Sequence, residues 1–174
     1  MQHSWPAHLS AGAVRFARPS ARLEAVAAFY RDALGLPVLA EWRGHAGYDG
    51  IVLGLPGTPV HMEITQHGDP PRIPAPHPEN QLVLYLAGPA ARDEAAARLA
   101  AYGHTPVPAA NPYWPQHGAL AFEDPDGWLV ILAPWVFGRD PAPEAEADTE
   151  VDVDTGADTE AGRSGGGARG QRHR

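Results

Sequence analysis

The stretch from His117 to Trp135, HGALAFEDPDGWLVILAPW, decides how the chain is read. HGALAFE and WLVILAPW are each of strand length and rich in apolar residues, and Asp124-Pro125-Asp126-Gly127 between them has the composition of a tight turn. The segment therefore predicts a hairpin inside a sheet. Asp124 and Asp126 are expected to shape the turn. Gly127 is expected to take a backbone conformation that few residues tolerate. The acidic pair is accordingly read as structural and not catalytic.

Working outward from the hairpin, the same order of elements occurs twice. In the first half AVRFAR (13–18) reads as a strand, with Val14 and Phe16 on one face and Arg15 and Ala17 on the other. Leu23, Val26, Ala27, Tyr30 and Leu34 then form one stripe of an amphipathic helix, with Ser20 as its N-cap and Gly35 as its C-cap. Strands LPVLAEW, GIVLGL and PVHMEIT follow, the first two separated by a loop, RGHAGYDG (43–50). In the second half QLVLYLAG is a strand and PAARDEAAARLAAYG a helix, with Ala91, Ala95, Leu99 and Tyr102 along one stripe and Gly103 as its cap. HTPVP, HGALAFE and WLVILAPW complete it.

The expected organisation is an extension at 1–12, a first βαβββ module at 13–67, a Pro-rich linker at 68–80, a second module at 81–138 and a tail at 139–174. The tail is acidic, then rich in Gly and Arg, and has the composition of a disordered segment. The fold class is α+β. Two paired modules, each with a helix on one sheet face, would join their free faces into a concave trough, the usual place for a small-molecule site.

Composition removes several classes of function. The chain has no cysteine and no lysine, which excludes disulfides, thiolate chemistry and a lysine Schiff base. Its formal charge of −8 argues against a nucleic-acid partner. No apolar run is long enough to span a membrane, and the first residues lack the pattern of a signal peptide, so a cytoplasmic protein is expected. There is no P-loop, dinucleotide fingerprint or GxSxG elbow.

AFYRDALGLPVL (28–39) and FEDPDGWLVIL (122–132), with the paired element order, resemble the vicinal oxygen chelate superfamily, the glyoxalase, bleomycin-resistance and dioxygenase fold. GHAGYDGIVLGLPG and NPYW look most similar to a small bacterial subgroup of it with no assigned reaction. The resemblance implies a homodimer and, in the members that use a metal, ligands from the first and last strand of each module. Those positions are Arg15, Glu63, Gln81 and Ile131. Arginine cannot give up its proton and isoleucine has no donor atom, so the usual site is broken at two of four.

Alternation in PVHMEIT turns Val60, Met62 and Ile64 toward the helix and His61, Glu63 and Thr65 toward the trough. A trough carboxylate without a metal needs a partner, and Arg15 is on the matching face. The expectation is an Arg15–Glu63 ion pair in place of the metal, the alternative being that both sit exposed on the trough rim. A non-standard site for one divalent metal, built from His61, Glu63 and His117, is a further alternative.

The expected ligand-binding residues are Arg15, His45, Tyr48, His61, Glu63, Gln81, Tyr113, Trp114 and His117, with Glu63 the candidate for catalysis if there is any. His45, Tyr48 and Asp49 lie in the glycine-rich loop, and Asn111, Tyr113, Trp114 and His117 in a segment stiffened by prolines. Tyr113 and Trp114 suit either a pocket or the end of the core. The reading favoured is a protein that binds a small organic molecule without a metal or other cofactor, as the family's resistance proteins do. The alternatives are a divergent metal-dependent lyase or dioxygenase, a metal-free isomerase using Glu63, and a non-catalytic domain whose tail recruits a partner.

Overall fold

The computed structural model describes residues 11–69 and 72–138; most of the N-terminal extension and the whole tail lie outside the described residues. Strand β1 (Val14–Pro19) is followed by α1 (Leu23–Ala27), which continues into a π-helical segment, Ala28–Leu34. Strands β2 (Val38–His45), β3 (Tyr48–Gly54) and β4 (Val60–His67) complete the first module. The second holds β5 (Gln81–Tyr85), α2 (Pro89–Ala101), α3 (Tyr113–Gln116), β6 (Leu120–Glu123) and β7 (Leu129–Ala133). The sheet orders are β1-β4-β3-β2 and β5-β7-β6, with the first strand of each module parallel to its last.

The architecture is α+β, as expected, and both modules contribute to one core. Phe29, Tyr30, Leu99 and Ala33 from the helical segments bury against Ile51, Met62 and Ile64 of the first sheet and Phe122, Val130 and Leu132 of the second. Removing a large apolar side chain of this kind from water contributes about 1.5–3 kcal/mol. A separate cluster covers the opposite, inner face of the second sheet: Ala121, Ile131 and Ala133 lie beneath Trp135, Tyr113 and Trp114.

Several local expectations are corrected. Ser20 is not the helix cap; it is buried two residues earlier, where its Oγ accepts from the Arg22 amide (2.9 Å), while Gln66 Oε1 accepts from the Leu23 amide (2.8 Å). The wider π turn, in which the Gly35 amide donates to the Tyr30 carbonyl, rotates the end of the helix. Phe29 and Ala33 are buried in consequence, and Leu34 only partly. Gly35 does adopt the left-handed cap conformation (φ 88°). On α2 the expected stripe shrinks to Leu99 with partly buried Ala91 and Ala95, and Tyr102 is exposed.

HTPVP does not form a strand. Only Val107 bridges to Ala121, its amide donating to the Ala121 carbonyl at 2.8 Å. Pro106 and Pro108 on either side have no N–H to extend a ladder, so the second sheet has three strands where the first has four. The supposed loop 43–50 is almost entirely strand. Ala46 (φ 51°) and Gly47 (φ 84°) form a two-residue turn with both angles positive, the geometry that matches strand twist, and pair His45 with Tyr48. Gly44 (φ 63°) marks the register shift just before it. The turn after β6 forms as expected, with Gly127 at φ 91°; Asp124 shapes it by accepting, through Oδ1, from the amides of Asp126 (2.8 Å) and Trp128 (3.0 Å).

Candidate functional site

Cross-strand register assembles a groove on the inner face of the first sheet. Trp42 pairs with Gly50, Gly50 with Thr65, and Val52 with Glu63. A glycine is needed at position 50 because a Cβ there would overlap the Trp42 indole, which lies over the backbone at that point. The groove, about 310 Å³, is lined by Trp42, His45, Ala46, Tyr48, Glu63 and Thr65. His45, Tyr48 and Glu63 are thus brought together as candidates. Trp42 and Thr65 join them, and Trp42 becomes visible as a site residue only once the β2–β3 register is known. Tyr48 is held edge-on to His67, with ring centroids 4.8 Å apart. Asp49 turns away from the groove and accepts from the Gly44 amide (2.7 Å).

At the edge of this groove Arg15 Nη1 donates to Glu63 Oε2 at 2.7 Å, the expected ion pair. The guanidinium is 51% exposed and the carboxylate 19%. His61 is the neighbour of Arg15 across β1 and β4. The superfamily's metal does not fit these residues. Glu63 already has a cation as its partner, Arg15 cannot ligate, and Ile131 is fully buried within the second inner-face cluster. Gln81 lies elsewhere, lining a cavity of about 190 Å³ with Phe16, Arg18, Tyr30 and Trp128.

The alternative triad of His61, Glu63 and His117 is not assembled within the chain. Among the described residues no three His, Asp or Glu side chains are grouped to hold a metal. His117 lies tilted against Tyr113, with ring centroids 4.3 Å apart, and its Nδ1 is 2.7 Å from the Tyr113 carbonyl oxygen.

The segment expected to be a pocket lining is a short helical turn instead. Just before it, Asn111 Oδ1 accepts from the Tyr113 amide (2.9 Å). Tyr113 and Trp114 pack on the inner face of the second sheet, where Trp114 stacks with Trp135 at 6.1 Å. Of the two readings of these rings, the structure supports the end of the core: they cover Ile131. Trp114 Nε1 is buried without a hydrogen-bond partner among the described residues.

The acidic turn has one feature beyond the expected turn geometry. Arg18 donates to Asp124 through Nη2 and to Asp126 Oδ2 through Nη1 (2.7 Å), and its guanidinium lies 5.3 Å from the Trp128 ring. Tyr30 Oη donates to the same Asp124 oxygen at 2.9 Å. Burial first, then the Asp124 charge, pushes the Tyr30 phenol well above its usual range, so it remains a donor. β1, the helix and the β6–β7 turn are tied together by this buried group. Its sequence signal was the position of Arg18 on the same strand face as Phe16, a cation in a core register facing an acidic turn.

Comparison with known proteins agrees with this architecture. Residues 14–65 match the YycE-like N-terminal domain and residues 79–134 the YycE-like C-terminal domain. The chain is 36% identical over 122 residues to YycE of Bacillus subtilis, covering 70% of this chain and 87% of that protein. The crystal structure of a Bacillus subtilis YycE superposes with a TM-score of 0.70 at 33% identity, covering 78% of this chain and all of that one. Two proteins of Streptomyces sp. CB03234 share the fold. A glyoxalase/bleomycin resistance protein has a TM-score of 0.50 at 23% identity, covering 70% of this chain and 98% of that one. The antibiotic binding protein TnmS3 has a TM-score of 0.53 at 22% identity, covering 72% and 96%. No helix among the described residues is long and apolar enough to cross a membrane. The chain belongs to the YycE-like family, on the glyoxalase/bleomycin-resistance fold.

Proposed function

We propose that the protein binds a small, partly apolar organic molecule in the inner-face groove of its first module, without a metal. One observation carries this reading: the groove walled by Trp42, His45 and Tyr48 has the Arg15–Glu63 ion pair at its edge, where the superfamily's chemistry requires a free carboxylate ligand. An aromatic wall with a few polar groups suits ligand capture. The antibiotic-binding description of TnmS3, on the same fold, is in keeping with such a role. A cytoplasmic homodimer completes the proposal. The dimer is supported by the edge strand β1, whose Val14 and Phe16 are exposed and offer apolar surface to a second copy.

Elemental analysis before and after incubation with iron, manganese, nickel and zinc tests the reading, with far less than one metal per chain expected. About one metal per chain, lost on Glu63→Ala, would replace it with a metal-dependent lyase or dioxygenase.

A further inference from the structure

We infer that the ligand of this groove is a planar aromatic carboxylate, its ring against Trp42 and its carboxylate on the Arg15 guanidinium. This rests on the groove being the binding site and goes further by fixing the ligand's charge and shape. The two members of the ion pair are presented unequally: Arg15 is 51% exposed and Glu63 only 19%. A molecule entering from solvent meets the cation first, with the anion recessed behind it. Among the described residues Arg15 spends one N–H, from Nη1, on Glu63. A guanidinium has five N–H donors in a planar fork, so an edge suited to both oxygens of a carboxylate remains. The groove lining contains no carboxylate besides Glu63, and His45 lines it while His61 adjoins Arg15. That one carboxylate is already paired, so no unpaired negative charge in the lining opposes an entering anion, even though the whole chain is acidic.

Geometry sets the ligand's length. Trp42 lies over Gly50, the neighbour of Thr65, and Arg15 holds Glu63, two residues along β4 from Thr65. One strand spacing of about 4.8 Å and two residues of about 6.6 Å place Gly50, beneath the indole, roughly 8 Å from Glu63, the residue that Arg15 holds. A bicyclic ring bearing a short carboxylate arm spans that distance. The flat indole, with Tyr48 beside it, favours a ring over an aliphatic chain.

The test is calorimetry on the full chain with three probes of one shape: 2-naphthylacetate, 2-naphthylethanol and 2-naphthylethylamine. The carboxylate is expected to bind at least about tenfold tighter than the other two, the scale of one charge-assisted bidentate contact. The double variant Arg15→Gln/Glu63→Gln, which removes both charges together and avoids leaving Glu63 unpaired, is expected to bring carboxylate and alcohol to equal affinity. Equal binding of acid and alcohol by the unmodified protein, or tighter binding of the amine, overturns the inference while leaving the groove as a binding site. A carboxylate preference that survives in the double variant overturns it too, because Arg15 would not be the anchor. Binding of none of the three removes the inference and the groove reading together.

Discussion

Replacing Arg18 with Met removes the cation from the most buried ion pair described here while retaining an apolar stem of similar length. The guanidinium is 6% exposed and the Asp124 side chain is fully buried, so solvent cannot take over as partner. Breaking a buried pair by removing one member costs about 3–5 kcal/mol. The lower end applies because Asp124 keeps three donors, the Tyr30 hydroxyl and the amides of Asp126 and Trp128. Asp126 is partly exposed and can turn to water, so its lost bond adds little. The expected loss is about 3 kcal/mol, or roughly 12 °C in Tm for a domain of this size. Urea unfolding followed by circular dichroism measures it, with an unchanged slope showing that the folded state is intact. Adding Asp124→Asn should cost nothing further, because the carboxylate stranded by the first change is then gone. A loss below about 1 kcal/mol for Arg18→Met would refute the reasoning, since the buried pair would then not be holding β1 to the second module.

Three further outcomes are expected. Tyr30 keeps its proton in the fold above the ordinary tyrosine value of about 10; its contribution is therefore fully present below pH 10 and is lost as pH rises above it, at up to about 1.4 kcal/mol per pH unit. Tyr30→Phe should remove that alkaline slope from a urea-unfolding series across pH 9–11. Ile131→Ala should cost about 3 kcal/mol by leaving a cavity beneath Trp114 and Trp135, whereas a trough-facing, solvated position would lose under 1, as chemical denaturation will show. Gly50→Ala should push the Trp42 indole off the sheet, changing near-ultraviolet circular dichroism and weakening naphthylacetate binding, with stability altered by less than about 1.5 kcal/mol.

Much of the fold was legible because its signals are local. The Gly35 cap, the Asp124–Gly127 turn and the alternation along β4 each follow from one residue's conformational preference or from a period of two. The Arg15–Glu63 pair was legible for the same reason: alternation set the face, and the cost of an unpaired carboxylate set the partner. What was not legible depends on context. RGHAGYDG reads as a loop because of its three glycines, yet one is a bulge, one completes the turn and one makes room for Trp42. The π turn that buries Phe29 has no period in the sequence, and the inward packing of Tyr113 and Trp114 depends on Trp135, some twenty residues away.

The covering of the second sheet's inner face by Tyr113, Trp114 and Trp135 has a consequence for how the two halves can change. In a doubled architecture each half starts with the same open surface, and here one of them has been partly covered by its own chain, over Ile131. The covered part is held to a tight steric fit, so substitutions there register as lost stability. The open half has a polar floor and an exposed hairpin, so substitutions there register as altered recognition. Selection for a new ligand can therefore act on the groove-facing residues of β2, β3 and β4, such as Trp42, Tyr48 and Thr65, almost independently of selection for a stable fold.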